Sequence, residues 1–158
     1  MDIINWFEPL TDWIEALFVH QGVFIPILLL AIEESGIPLP IPGDAMIAYT
    51  GYNVSQGQLT YLVAFIVLMT SVLGGSSILY WLAYKWGNGI VLKFGRFLHL
   101  HPERLLKVED FFKKYGVLVI IFGRHVPGFR IPITVFAGMS GINYRTFILS
   151  TLASTIFW

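Results

Sequence analysis

Residues 33–44 read EESGIPLPIPGD, and this stretch interrupts two apolar segments that are each too short to cross a membrane. Three prolines and two glycines within residues 36–43 exclude a continuous helix there. Apolar sequence precedes the break at residues 23–32 and resumes at 45–49, before a further break at 51–53. Two half-length helices around such a break predict a re-entrant helical hairpin.

Residues 116–138 read GVLVIIFGRHVPGFRIPITVFAG and repeat this plan. Apolar residues 117–122 run into a break at 123–132, and apolar sequence returns at 133–138. Gly-Val precedes both breaks, at 22–23 and 116–117, and Pro-Ile closes both, at 40–41 and 132–133. We therefore predict two copies of one unit. Their structural hinges are expected at Gly36, Pro38, Pro40, Pro42, Gly43, Pro127, Gly128 and Pro132.

A single uninterrupted span lies between the two copies. No charged residue occurs between Asp44 and Lys85, and residues 59–84 exceed the roughly 20 helical residues needed to cross a bilayer core. Small residues at 70–77 are typical of close helix packing, which we favour over direct substrate contact. One crossing between the copies makes them enter from opposite sides, as in transporters built from inverted repeats.

The composition agrees with a membrane protein. Hydrophobic residues make up 56% of the 158 residues and charged residues 13%, whereas soluble domains are about 25% charged. The formal net charge of zero gives no electrostatic case for nucleic-acid binding. The absence of cysteine excludes disulfides and thiolate chemistry, and no spacing of metal ligands occurs, so no cofactor or metal is expected.

Charge is distributed unevenly along the chain. Residues 1–44 carry acidic residues and no lysine or arginine, while residues 85–114 carry seven bases and three acids. By the positive-inside rule, the basic stretch is cytoplasmic in a multi-pass protein. Residues 1–20 show apolar residues at helical spacing with three acids opposite, which predicts an amphipathic helix in the interface.

The predicted fold is a single all-α integral membrane domain over residues 1–158. It comprises an amphipathic helix at 1–20, a first repeat at 22–84, a basic cytoplasmic loop at 85–115 and a second repeat at 116–158. Each repeat is a re-entrant hairpin followed by a transmembrane helix. The sequence ends at Trp158, inside an apolar helix that begins near Thr146. Either the chain is truncated or another subunit closes the fold; we expect truncation, and a homo-oligomer stays an open alternative.

Ionisable residues within both breaks are the candidate functional residues. An ionised side chain at membrane depth costs roughly 2.5–3.5 kcal/mol and by default marks function. The two sets have opposite signs, with Glu33, Glu34 and Asp44 in the first break and Arg124, His125 and Arg130 in the second. Paired arginines are suited to a phosphate, and a carboxylate beside them can exchange protons when a phosphate competes. We predict that the basic set binds a lipid phosphate headgroup and the acidic set couples to protons. The alternative is that these residues pair only to hold the hairpins together.

Several motifs resemble those of the bacterial DedA family, which is related to the eukaryotic VTT-domain lipid scramblases. The matching residues are Glu33-x-x-Gly36-Ile37-Pro38, Pro42-Gly43-Asp44, Gly75, Tyr80-Trp81, Gly87, Phe122-Gly123-Arg124-x-x-Pro127-Gly128-x-Arg130 and Ala137-Gly138. The resemblance implies a protein of the bacterial cytoplasmic (inner) membrane that moves lipids. It implies undecaprenyl phosphate or phosphatidylethanolamine as cargo, with a link to the proton motive force.

The resemblance places the functional acids at Glu33 and Asp44 and the arginines at Arg124 and Arg130, with Glu34 as an alternative to Glu33. Ser76 departs from the pattern, because many members carry aspartate there. Members also usually continue beyond Trp158.

Four functions remain as hypotheses. The first is a lipid flippase or scramblase, and the second is a proton-coupled transporter of a small anionic solute using the same charges. An intramembrane enzyme is disfavoured, because no serine stands in a Gly-x-Ser-Gly setting and no histidine-rich phosphatase constellation occurs. The fourth is a non-transport role in membrane homeostasis.

Overall fold

The computed structural model describes residues 24–39, 43–87, 89, 102–126 and 128–157. Within these residues the fold is all-helical, as predicted, with seven helices and no strand. The helices are α1 (Phe24–Glu34), α2 (Gly43–Ser55), α3 (Tyr61–Trp86), α4 (Pro102–Tyr115), α5 (Leu118–Gly123), α6 (Arg130–Met139) and α7 (Tyr144–Ile156). The amphipathic helix predicted at 1–20 and the hinges predicted at Pro40, Pro42 and Pro127 lie outside the described residues.

Helix α3 is the central element of the fold. It corresponds to the span predicted at 59–84, shifted by two residues at each end. Its 26 residues extend about 39 Å at 1.5 Å per residue. Among the described helices, α3 alone is long and apolar enough to cross a membrane. Helices α1, α2, α6 and α7 all contact it.

Helices α1 and α2 form a helical hairpin around the first predicted break. Helix α1 has 11 residues and extends about 16 Å, roughly half of a bilayer core. It ends at Glu34 and is followed by Gly36, whose φ of 96° is a conformation that residues with a side chain rarely adopt. The Gly36 N–H donates to the Glu33 carbonyl at 2.9 Å and the Ile37 N–H to the Ile32 carbonyl at 3.3 Å. This Schellman arrangement satisfies the last carbonyls of α1 and turns the chain.

Helices α5 and α6 form the second hairpin. They have 6 and 10 residues and contact each other. Gly128, with a φ of 79°, lies in the break between them. Pro132 was predicted as a hinge but lies in the first turn of α6. Proline fits there because the first N–H groups of a helix have no intrahelical partner.

The same order of helices occurs twice, as α1–α2–α3 and α5–α6–α7. Helix α1 contacts α3, and the corresponding helix α5 contacts α7. Equivalent turns with positive φ precede α3 and α7, at Gly57 and Gly141. Helix α7 begins at Tyr144, two residues before the predicted start, because the Asn143 side chain accepts a hydrogen bond from the Arg145 N–H.

The two hairpins pack against different halves of α3. Leu30 and Met46 of the first hairpin form a buried cluster with Val72, in the first half of α3. Val135 of the second hairpin forms another with Leu79 and Ala83, in the second half. The hairpins therefore meet near the middle of α3, at Gly75 and Ser76.

Helix α4 carries part of the predicted basic loop. Its Val108 is fully buried in the cluster that contains Ile120 of α5, so this face of the helix packs on the second hairpin. On the exposed face, Lys113 forms an ion pair with Glu109 at 2.7 Å. The hydrogen bond to Glu109 raises the pKa of Lys113. Helix α4 is therefore amphipathic, with one face packed on the second hairpin and the other exposed.

Candidate functional site

A buried ionic cluster lies where the two hairpins meet. The Glu34 side chain, at the end of α1, is 1% exposed. Arg124 Nη2 donates to its Oε2 at 2.9 Å, and Arg130 Nη1 donates to its Oε1 at 2.7 Å. Each carboxylate oxygen therefore accepts from a different guanidinium group. The first hairpin supplies the acid and the second supplies both bases.

Arg124 is held by three side chains in addition to its place at the end of α5. Its Nη1 donates to Thr134 Oγ1 at 2.8 Å, and its Nη2 donates to Ser76 Oγ at 3.0 Å as well as to Glu34. Thr134 lies one helical turn after Arg130 in α6, and its hydroxyl donates to the Arg130 carbonyl at 3.0 Å. These bonds fix the plane of the Arg124 guanidinium group.

Helix α3 contributes Ser76 and Gly75 to the cluster. The Ser76 hydroxyl is fully buried and donates to Glu34 Oε2 at 2.9 Å. A Cβ on Gly75 would overlap the carbonyl oxygen of Ala31 and the Cβ of Glu34. Glycine at this position lets α1 approach α3 closely, and this approach carries Glu34 to Ser76.

Charges buried this deeply are stable only when they are paired and hydrogen-bonded. The cluster meets that condition, because Glu34 accepts three hydrogen bonds and Arg124 donates three. Two guanidinium groups share this one carboxylate. Chemically, the arrangement is an anion site in which the anion is a side chain of the protein itself.

The other two predicted acids lie next to the cluster rather than in it. Glu33 is half-buried against the start of α2, where a Cβ on Gly43 would overlap its Oε2. That oxygen is buried without a hydrogen-bond partner among the described residues. Asp44 is exposed in the first turn of α2, where a negative charge stabilises the helix N-terminus. The structure thus places Glu34, not Glu33 or Asp44, between the arginines.

His125 lies at the edge of the cluster. It is exposed, and its Nε2 lies 3.4 Å from the Ser154 hydroxyl of α7. A small cavity lies beside it, lined by Glu34, Val72, Arg124, His125, Arg130, Ser154 and Thr155. The volume of this cavity is about 10 Å³, enough for at most one water molecule. The cluster is therefore closed in this conformation, and a phosphate group does not fit without separation of the ion pairs.

Sequence reasoning missed two polar members of the site. Thr134 carries a detectable signal, since residues four apart share a helix face and Thr134 follows Arg130 by four. Ser76 was identified only as a departure from the family pattern, in which many members carry aspartate. In the structure its hydroxyl bonds to both Glu34 and Arg124. Among the described residues, no group of three or more His, Cys, Asp or Glu side chains is placed to hold a metal ion.

The fold and this cluster define a helical membrane protein with a paired anion site between two helical hairpins. The sequence profile of the VTT domain matches residues 41–158, and the chain belongs to this family, which includes the DedA proteins. The prediction of the family is thereby confirmed. No solved structure gives a significant match.

Three relatives illustrate the family. The chain is 35% identical over 151 residues to the membrane protein YkoX of Bacillus subtilis, covering 94% of this chain and 64% of YkoX. It is 29% identical over 145 residues to undecaprenyl phosphate transporter A of Staphylococcus aureus, covering 89% and 71%. It is 30% identical over 121 residues to undecaprenyl phosphate transporter A of Bacillus subtilis, covering 75% and 60%. The chain thus spans about two thirds of the length of these relatives.

Proposed function

We propose that this protein moves a phosphate-bearing lipid across the bilayer, and that Arg124 and Arg130 bind the lipid headgroup in alternation with Glu34. The observation that carries this proposal is the ion-pair geometry, in which each oxygen of one buried carboxylate accepts from a separate guanidinium group. A phosphate offers the same kind of anionic oxygen acceptors. The carboxylate therefore occupies the position that a phosphate would take.

Exchange between carboxylate and phosphate provides a route to proton coupling. Two anions cannot share the arginines at low cost, so binding of a phosphate favours uptake of a proton by Glu34. Release of the phosphate favours loss of that proton and closure of the ion pairs. Glu33 is a second candidate for the proton site, because its Oε2 is buried next to the cluster, against Gly43. Asp44, exposed at the start of α2, is the third.

In this proposal the two hairpins are re-entrant and enter a bacterial cytoplasmic membrane from opposite sides. Two observations support it: their helices have 6 to 13 residues, and the hairpins pack against different halves of α3. Helix α3 then crosses the bilayer between them, and the cluster lies near the midplane. Irregular backbone at that depth requires that the breaks line protein or a water-filled cavity.

The first lipid to test is undecaprenyl phosphate, since two of the relatives bear its name. Phosphatidylethanolamine is the second. The test is reconstitution of the chain in liposomes that contain a fluorescent polyprenyl phosphate or a fluorescent phosphatidylethanolamine. A membrane-impermeant reductant then reports how fast the lipid changes leaflet, with and without a pH gradient.

Arg130→Lys is the informative variant, because lysine keeps the charge and loses the planar fork of donors. We expect lipid movement to fall by about tenfold or more, which corresponds to the loss of one charge-assisted hydrogen bond. Arg145→Lys, at the exposed start of α7, is the matched control and should behave like the unmodified protein. Equal rates in both variants would contradict the proposed headgroup site. If the reconstituted protein moved no lipid but carried a soluble anion, and inorganic phosphate inhibited that transport, the small-anion alternative would be favoured.

A further inference from the structure

A second concave surface lies between α4 and α5, apart from the ionic cluster. We call it the α4–α5 groove, and its walls include Phe111, Tyr115, Leu118, Phe122 and Val126. Its volume is about 370 Å³, within the range of small-molecule sites. Phe122 is 66% exposed and Leu118 is 53% exposed. The groove therefore presents a large apolar surface that water would solvate poorly.

The two ends of the groove differ in their surroundings. At the α4 end, Lys114 places its Nζ 5.0 Å from the centre of the Tyr115 ring, which lines the groove. Lys113 forms an ion pair with Glu109, so Lys114 is the basic side chain that we assign to the rim.

The groove also extends along α5 as far as Gly123 and Val126, the residues that flank Arg124 and His125. The apolar groove thus extends from the neighbourhood of Lys114 to the two residues that flank Arg124 and His125 in the chain.

We infer that the α4–α5 groove binds the hydrocarbon chain of a phosphate-bearing membrane lipid while its headgroup contacts Lys114. The inference rests on the proposed lipid transport and adds the place where the lipid docks before its headgroup reaches the arginines. The cationic rim matches the phosphate, and the apolar walls match the chain. A small soluble anion would make no favourable contact with the apolar walls, so the groove would favour lipids over soluble anions.

The inference is tested by photolabelling of the full chain in lipid nanodiscs. The probe is a phosphatidic acid with a diazirine in one acyl chain, and the labelled peptides are mapped by mass spectrometry. We expect the label to concentrate on residues 111–126. Leu118→Trp fills the groove and should lower this labelling by about tenfold, as expected when roughly two methylene groups lose their burial. Leu149→Trp, at a similarly exposed apolar position of α7, should leave the labelling unchanged.

The rim is tested separately with Lys114→Gln. It should weaken labelling by the phosphatidic acid probe and leave labelling by a diacylglycerol with the same diazirine chain unchanged. Lys107→Gln, exposed on the same helix, should affect neither probe. Circular dichroism and gel filtration show whether each variant is folded. Leu118→Trp tests the apolar walls and Lys114→Gln tests the rim, so the two results are independent.

Three results would overturn the inference. They are even labelling of all exposed apolar residues, equal labelling of the two tryptophan variants, and a groove that stays unlabelled because another segment or a second copy of the chain covers it. Labelling measures binding and needs no transport. A chain that labels in the groove and moves no lipid in liposomes would therefore refute the proposed function alone, while lipid movement without groove labelling would refute this inference alone.

Discussion

Glu34 and Arg124 are separated by 90 positions in the chain, yet Oε2 of the first lies 2.9 Å from Nη2 of the second at a site closed to solvent. Each residue lies at the C-terminal end of a short helix, α1 or α5. A negative charge at a helix C-terminus is unfavourable, whereas a positive charge there is favourable. The two arginines therefore offset the unfavourable interaction of the Glu34 carboxylate with the C-terminal end of α1. The ion pair joins the two hairpins at the point where each helix stops.

Replacement of Glu34 by glutamine should destabilise the protein and stop lipid movement. Glutamine keeps the shape of the side chain but leaves two arginines without their carboxylate, and removing one partner of a buried ion pair costs roughly 3–5 kcal/mol. Thermal unfolding in detergent, followed by circular dichroism, measures the effect. Glu33→Gln is the matched control, since it removes the neighbouring charge and leaves the hydrogen bonds of Arg124 to Glu34, Ser76 and Thr134 in place. If Glu33→Gln lowered the melting temperature more than Glu34→Gln, the cluster would not be the main stabilising contact.

The breaks and the span were predictable because proline, glycine and apolar runs act locally. In the structure α1 ends at Glu34 and α2 begins at Gly43, and α5 ends at Gly123 and α6 begins at Arg130, so both interruptions fall within the predicted breaks and are narrower than predicted. Helix α3 matches the predicted span to within two residues. The choice between Glu33 and Glu34 was not predictable. Adjacent helical residues point about 100° apart, so the choice depends on which face of α1 packs against α3. The close approach at Gly75 decides it, and that approach is a property of the packed helices.

The hydrogen-bond partners that other helices supply to Arg124 were only partly predictable from the sequence. Ser76 and Thr134 belong to α3 and α6, and both hydroxyls contact Arg124 of α5. Neither residue type is unusual in a membrane helix, where serine and threonine commonly bond the preceding turn. Apart from the spacing of Thr134 from Arg130, their role follows from the way in which α3, α5 and α6 converge on one guanidinium group.

Replacement by lysine should lower the stability of the protein more at Arg124 than at Arg130. Arg124 donates to Glu34, Ser76 and Thr134, and lysine cannot reproduce that planar set of bonds. Hydrogen bonds to charged groups contribute about 1.5–3 kcal/mol each, so Arg124→Lys should lower the melting temperature. Arg130 is more exposed and lies at the start of α6, so Arg130→Lys should lose lipid movement while keeping most of its stability. Equal melting temperatures in the two variants would contradict this ranking.

Alanine at Gly75 should loosen the contact between α1 and α3. The new methyl group would overlap the carbonyl oxygen of Ala31 and the Cβ of Glu34, neither of which is the flexible end of a side chain. Overpacking of this kind typically costs about 1–3 kcal/mol. Gly74→Ala provides a matched control, because a Cβ at Gly74 meets nothing within 4 Å and alanine favours a helix over glycine by about 1 kcal/mol. Melting temperatures should fall for the first variant and stay equal or rise for the second.

The sides of the membrane on which the turns lie can be tested with single cysteines, since the native chain has none. Ser55 precedes α3, whereas Lys107 and Ser140 follow it, and all three are exposed. In intact cells, an impermeant maleimide should label Ser55→Cys and should leave Lys107→Cys and Ser140→Cys unlabelled until the cells are permeabilised. In the proposed topology α3 crosses the bilayer once, while α5 and α6 return to the side from which they entered.

Ser140 is the decisive position, because it distinguishes a re-entrant hairpin from a broken crossing. If α5 and α6 together crossed the bilayer, Ser140 would lie on the same side as Ser55 and would be labelled in intact cells. The packing argues against that outcome. Gly138, two residues earlier, lies against Tyr80 and Ala83 in the second half of α3, which is the half that leads to the basic helix α4. External labelling of Ser140→Cys would remove the inverted arrangement of the hairpins, and the midplane position of Glu34 would have to be abandoned with it.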